Sequence, residues 1–169
     1  MIFDFYDQLT EKLKRRFNMK AIKVFIAILI LAIVGAAIAG VVVDNLTSAE
    51  IEKQIKMIDV PSNTTIDASV SRTGKLSDPN GPLEYYGAVL LQSKMDYGSL
   101  RAYYSSHSPE GLSVEVVSME MAKNTFGENF PDDLRFSHHD DSPKNYYIAY
   151  AFGTGQSPFP MMDYRSYFG

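Results

Sequence analysis

Val24–Val43 reads VFIAILILAIVGAAIAGVVV, twenty residues without a charged, amide or hydroxyl side chain. A helix of that length rises about 30 Å, the thickness of a bilayer's hydrocarbon core, and it satisfies its own backbone hydrogen bonds where no water can. The stretch predicts one transmembrane helix, with residues 1–23 on one side of a membrane and everything after Val43 on the other. Asp44–Gly169 then leaves 126 residues, enough for one domain with a modest core.

Charge divides at the same place. Lys12, Lys14, Arg15, Arg16, Lys20 and Lys23 precede the apolar run against Asp4, Asp7 and Glu11, a net of +3, while the rest of the chain carries a net of −7. Lys and Arg beside a span resist translocation and acidic residues count for little, so the expected topology is N-in and C-out. In Met1–Met19, Ile2, Tyr6, Leu9, Leu13 and Phe17 recur at helical spacing. This predicts an amphipathic helix that lies in the cytoplasmic headgroup layer or serves only as a topology signal.

Ala37-Ile38-Ala39 has the small-x-small form of a signal-peptidase site. The 23-residue leader and the apolar run continuing through Val43 favour a retained signal-anchor instead. Ala32, Ala36 and Gly40 lie four apart, as do Gly35 and Ala39. That spacing lets helix backbones approach, so Ala32, Ala36 and Gly40 are the candidate transmembrane packing residues, pairing the chain with itself or with another membrane protein. The plainer reading is that Gly and Ala are common in any span.

The chain contains no cysteine, which rules out disulfides, thiol nucleophiles, Cys-ligated metals and a lipid-modified cysteine. A bacterial cell membrane fits an exported, cysteine-free domain better than a eukaryotic secretory route. Asn45-Leu46-Thr47 and Asn63-Thr64-Thr65 have the form of glycosylation sequons and read as incidental.

Beyond the span, Thr47-Ser48-Ala49-Glu50 has the form of a capping box, followed by Ile51, Ile55 and Ile58 at helical spacing. A short helix is expected there, either extending the membrane helix after a break at Asp44 or docking its isoleucines on the domain. Ile66, Ala68 and Val70 alternate with polar residues as in a strand with one buried face. Leu83–Leu91 is apolar on both faces around Gly87 and suits a central strand, and Ser77-Asp78-Pro79-Asn80-Gly81-Pro82 between them predicts a hairpin turn. A helix is expected from about Ser93 or Asp96 to Ser106. In Leu112–Met121 the two apolar sets meeting at Val116 and Val117 suggest a bulged strand. Residues 123–142 read as a long polar excursion, Asn145–Phe152 as the last strand, and the final residues as a loose tail or a cover for the sheet.

The expected fold is an α+β ectodomain, an antiparallel-rich sheet with a helix on one face, tethered by a single N-terminal transmembrane helix. Its expected parts are a cytoplasmic basic segment at 1–23, the transmembrane helix at 24–43, a juxtamembrane helix at 44–60, an extracytoplasmic domain at 61–153 and a tail at 154–169.

Chemistry-bearing clusters are few. His138-His139-Asp140-Asp141 combines imidazole and carboxylate ligands suited to zinc, nickel or copper, with His107 or Glu128 as distant completing ligands; a solvated polar loop is the simpler reading. No G-x-S-x-G, H-E-x-x-H or glycine-rich nucleotide motif occurs, no cofactor is implied, and an enzyme is not expected. Ten of the eleven tyrosines follow the span. They include the pairs Tyr85-Tyr86, Tyr103-Tyr104 and Tyr146-Tyr147. A strand pair puts one ring in the core and one on the other face, and core packing is the simpler reading. Outward rings of Tyr85, Tyr86, Tyr146 and Tyr147 gathered on an uncovered sheet face would form a binding surface for a protein, peptide or glycan. A net charge of −7 disfavours nucleic acid.

The layout resembles that of many bacterial membrane-anchored accessory proteins, a likeness of architecture rather than of motif. It implies a non-enzymatic extracytoplasmic domain whose partners are the lipid bilayer and another membrane or envelope protein. A sensor or ligand-binding module for a small molecule, glycan or metal is the alternative, and a membrane-tethered hydrolase the least favoured reading.

Overall fold

In the computed structural model the backbone is described for residues 2–78, 81–127, 130–137 and 145–154, together with the side chains outside 2–10, 13–18 and 154. The chain divides into two units, Met1–Ala39 and Gly40–Gly169. The first helix, α1, is assigned from Ile2 to Lys56, and within it Met19–Lys56 is long and apolar enough to cross a membrane. In the first unit Phe25, Ile28, Leu31 and Ile33 are all exposed. Helix backbone covers residues 2–19, but the amphipathic face expected there falls mostly on side chains outside the described residues.

The second unit is α+β. Strands β1 (Thr64–Gly74), β2 (Glu84–Ser93), β3 (Glu115–Ser118) and β4 (Tyr146–Thr154) form one sheet in the order β1-β2-β4-β3, with every neighbouring pair antiparallel. Strands β1 and β2 make the expected hairpin. Glu84 closes its base by accepting from the backbone N–H groups of Leu76 and Ser77 at 3.0 and 2.8 Å, while the Gly81 N–H donates to the Asp78 carbonyl at 2.9 Å.

The sheet is covered on both faces, which corrects the expectation of a helix on one face. Against one face lie the end of α1 and helix α2 (Tyr97–Ser106), and Ile51, Ile55, Ile58, Leu100 and Tyr104 meet Tyr85, Val89, Leu91, Tyr147 and Ala149 there. Against the other lie helix α3 (Met119–Phe126) and the 3-10 helix Asp132–Arg135, where Ala122, Phe126, Phe130, Leu134 and Phe136 meet Tyr86, Ala88, Leu90, Ile148 and Tyr150. The two central strands, β2 and β4, are apolar on both sides because both sides face a core.

Two local expectations change. Leu112–Met121 is not one bulged strand: Val116 and Val117 pair in regular register with Ala149 and Ile148, and the chain then turns into α3. The Ser118 hydroxyl accepts from the Met121 N–H at 3.3 Å and caps that helix. What looked like a change of phase is ordinary alternation feeding two cores. The sheet's irregularity lies in β1 instead, between Ile66 and Ala68. It sends Ile66 to the α1 face while Ala68 and Val70 pack on the α3 face.

The expected excursion at 123–142 contributes α3's last turn and the 3-10 helix, and its aromatics are core residues. Gly127, at φ 80°, ends α3 in a backbone conformation that disfavours a side chain. Arg135 is buried beneath this connection, where it donates to the Gly127 carbonyl at 3.2 Å and pairs with Asp132.

Candidate functional site

The best-defined polar arrangement is the joint between α1 and the sheet. Position by position the buried stripe of α1 in the second unit runs Gly40, Asp44, Ser48, Ile51 and Ile55, a three-to-four spacing that keeps one face of the helix on the domain. Ile58, just beyond the helix, continues the contact. Asp44 is fully buried, at 0% exposure, and its carboxylate accepts from the Tyr85 hydroxyl at 2.9 Å. The Thr73 hydroxyl donates to the Asp44 carbonyl at 2.8 Å. A carboxylate withdrawn from water is costly unless hydrogen-bonded, so this pairing fixes the turn of α1 that meets the ends of β1 and β2.

Two turns further on, the helix backbone touches the sheet. A Cβ placed on Gly87 would lie 2.5 Å from the Glu52 backbone nitrogen and 2.8 Å from Ile51 Cγ2. Only glycine admits that approach. Beyond it, the Lys56 ammonium donates to the Ser69 hydroxyl at 3.2 Å, and the Tyr103 hydroxyl donates to the Asp59 carbonyl at 2.8 Å. The expected helix break at Asp44 is absent, and the capping-box hydroxyl is used differently: Thr47 donates to the Val43 carbonyl at 3.0 Å, four residues back.

The tyrosines proposed as a surface are structural. Tyr85, Tyr86 and Tyr147 are buried and Tyr146 is partly buried against the α3-side core. The hydroxyls of Tyr85, Tyr86 and Tyr147 donate within the domain, to Asp44, to the Leu134 carbonyl at 3.0 Å and to the Met95 carbonyl at 3.1 Å. Among the described residues, helices pack on both faces of the sheet that carries them. Burial, with Tyr150 nearby, raises the Tyr86 phenol well above its ordinary value of 10.0. Burial and then the adjacent Glu115 carboxylate raise Tyr150, whose hydroxyl donates to Glu115 at 3.0 Å. Tyr104 is fully buried without a hydrogen-bond partner among the described residues, and burial followed by the neighbouring Tyr103 pushes it up to about 12.

Of the metal-capable residues, His138, His139, Asp140, Asp141 and Glu128 lie outside the described residues. His107 closes α2, stacked on Tyr103 with ring centroids 4.2 Å apart and its Nδ1 2.9 Å from the Tyr103 carbonyl. Among the described residues no group of three or more His, Cys, Asp or Glu side chains is placed to hold a metal ion. Of the small-residue row, Ala32 is exposed, Ala36 half-buried, and Gly40 buried.

Sequence reasoning found the isoleucines of this joint and singled out Tyr85, as a candidate surface ring, but missed Asp44, Ser48 and Thr73 as its polar members. A period of three to four linking Gly40, Asp44 and Ser48 to Ile51 was the available signal, obscured because polar residues are ordinarily read as solvent-facing. Compared with known families, curated proteins and solved structures, the chain matches no family model, no curated protein and no solved structure.

Proposed function

We propose that this is a single-pass membrane protein, N-in and C-out, that presents a small non-enzymatic extracytoplasmic domain to another membrane or envelope protein. The observation that carries the reading is α1 itself. Its apolar side chains from Val24 to Val34 are exposed on every side, with Leu31 at 71%, and a continuous apolar surface of that kind needs lipid or a partner to cover it. The basic residues of 1–23 supply the orientation. The contacts of Asp44 with Tyr85 and of Ile51 and Glu52 with Gly87 hold residues 44–56 of α1 on the sheet, which supports a folded, presentable domain.

Topology is tested with a reporter active only outside the cytoplasm, fused after Gly169; signal there supports the orientation and silence rejects it. The interaction is tested by purifying the full chain from detergent-solubilised membranes. A stoichiometric membrane or envelope protein is expected to co-purify. Its consistent absence, joined to a ligand-induced thermal shift, would replace this reading with that of a ligand-binding module.

A further inference from the structure

Strand β1 is one edge of the sheet, eleven residues long and paired only with β2, while the opposite edge, β3, has four residues and passes directly into α3. A strand paired on one side turns about every second backbone N–H and C=O outward, ready to receive another strand. The two halves of β1 differ in how they guard that edge. Residues 64–67 carry the irregularity before Ala68 and the exposed charge of Asp67, both of which hinder an added strand. In residues 68–74 the one charged side chain, Arg72, is paired with Asp133 at 3.4 Å. Among the described residues, no backbone group of this half hydrogen-bonds to anything but β2.

The side chains along this half define what fits it. On the α1 face the Lys56 ammonium donates to the Ser69 hydroxyl at 3.2 Å and pairs with Glu52 at 3.3 Å. On the other face Ala68 and Val70 are half-buried against the α3-side core, beside the Arg72 and Asp133 pair. Each border sets one cation against one anion, so neither favours a charged strand. An added strand would meet Ser69 and Ser71 with hydrogen-bonding side chains and Ala68 and Val70 with apolar ones.

A second copy of β1 has such a pattern, but direction rules it out for an anchored chain. Asp44 meets Thr73, and Lys56, about three turns later, meets Ser69, so α1 runs antiparallel to β1. Two copies joined antiparallel through β1 would point residues 40–43, the end of the apolar run, in opposite directions, and one membrane does not receive both. We propose that the outer edge of residues 68–74 is where a different protein binds, adding an extended, uncharged segment of its own to the sheet beside β1. The proposal rests on the anchored, partner-binding reading above and names the surface that reading requires.

The test uses the full chain purified from detergent-solubilised membranes together with its stoichiometric partner. Hydrogen exchange is compared between that complex and the chain alone. About half of the amides in residues 68–74 are expected to slow by about tenfold or more in the complex, with those of β3 unchanged. If a complex forms and these amides exchange as in the chain alone, the edge is overturned and the partnership stands. If no complex forms, the partnership fails and the edge falls with it; if the bound species has the mass of this chain, the assignment to a different protein is overturned. Ser69→Pro and Val70→Pro give a second readout. Neighbouring residues alternate in the direction of their N–H, so one variant loses a bond to β2 and the other only an outward N–H. The variant with the higher melting temperature is expected to recover about tenfold less partner, and undiminished recovery with it would overturn the edge as well.

Discussion

The two faces of the sheet are packed by different means. The α1 face is closed by a helix from the N-terminal end of the unit, through Ile51, Ile55 and Ile58 and a backbone contact at Gly87. The α3 face is closed by rings: Tyr86 sits edge-on to Phe126 and Phe130 at 6.1 and 5.2 Å, and Phe126 stacks on Phe130 at 4.7 Å. The first face depends on close approach, so its tolerance for added volume is small. The second depends on large side chains filling space, so its tolerance for lost volume is small.

The largest expected effect breaks the ring face. Phe130→Ala removes a side chain that touches Tyr86, Phe126 and Phe152, and a loss of about 4 kcal/mol is expected from the cavity. Thermal unfolding of the detergent-solubilised chain measures it; a change within the usual scatter for surface substitutions would show that this face closes over the gap. Next comes Gly87→Ala, which forces Glu52 and Ile51 away from β2 and is expected to cost about 3 kcal/mol. Hydrogen exchange should show the loss first in the amides of residues 44–56, and equal loosening around α3 would contradict independent packing of the two faces.

Tyr85→Phe is a smaller test, expected to cost about 1–2 kcal/mol by leaving the buried Asp44 carboxylate without that donor. No change in the melting temperature would mean that Asp44 is satisfied without it. The smallest effect at neutral pH belongs to Tyr104. Its raised pKa means that the fold favours the neutral phenol, so its contribution is intact below the ordinary value of 10.0 and is lost as pH rises through about 12. Tyrosinate absorbance should show late-titrating phenols that become ordinary on unfolding; a single normal titration would contradict their burial.

The α1 face was the more legible in sequence because its signals are local and periodic. The stripe Ile51, Ile55, Ile58 and the two-sided apolar strand around Gly87 point to a helix meeting a central strand, and the alternation of Tyr146–Phe152 divides correctly between the cores. The ring face was hidden. Phe126, Phe130 and Leu134 recur every four residues, yet they are spread among Glu, Asn, Asp and Gly, and the chain there changes from α-helix to a 3-10 turn with Gly127 and Phe136 at positive φ. No single period survives those changes. The candidate joint was half legible for a related reason: Asp44 and Thr73 lie 29 residues apart, and nothing local to either marks it as buried.

The burial of Asp44, Ser48, Ile51 and Ile55 also governs how the domain can be released. In an anchored protein with a free stalk, a protease sheds the ectodomain by cutting exposed chain between membrane and fold. Under the anchoring proposed above, only one face of the helix after the apolar run, that of Asp44, Ser48, Ile51 and Ile55, is buried in the domain. Cleavage there must wait for α1 to peel from β2, so the rate of shedding would be set by the local unfolding equilibrium of that helix rather than by access to a linker.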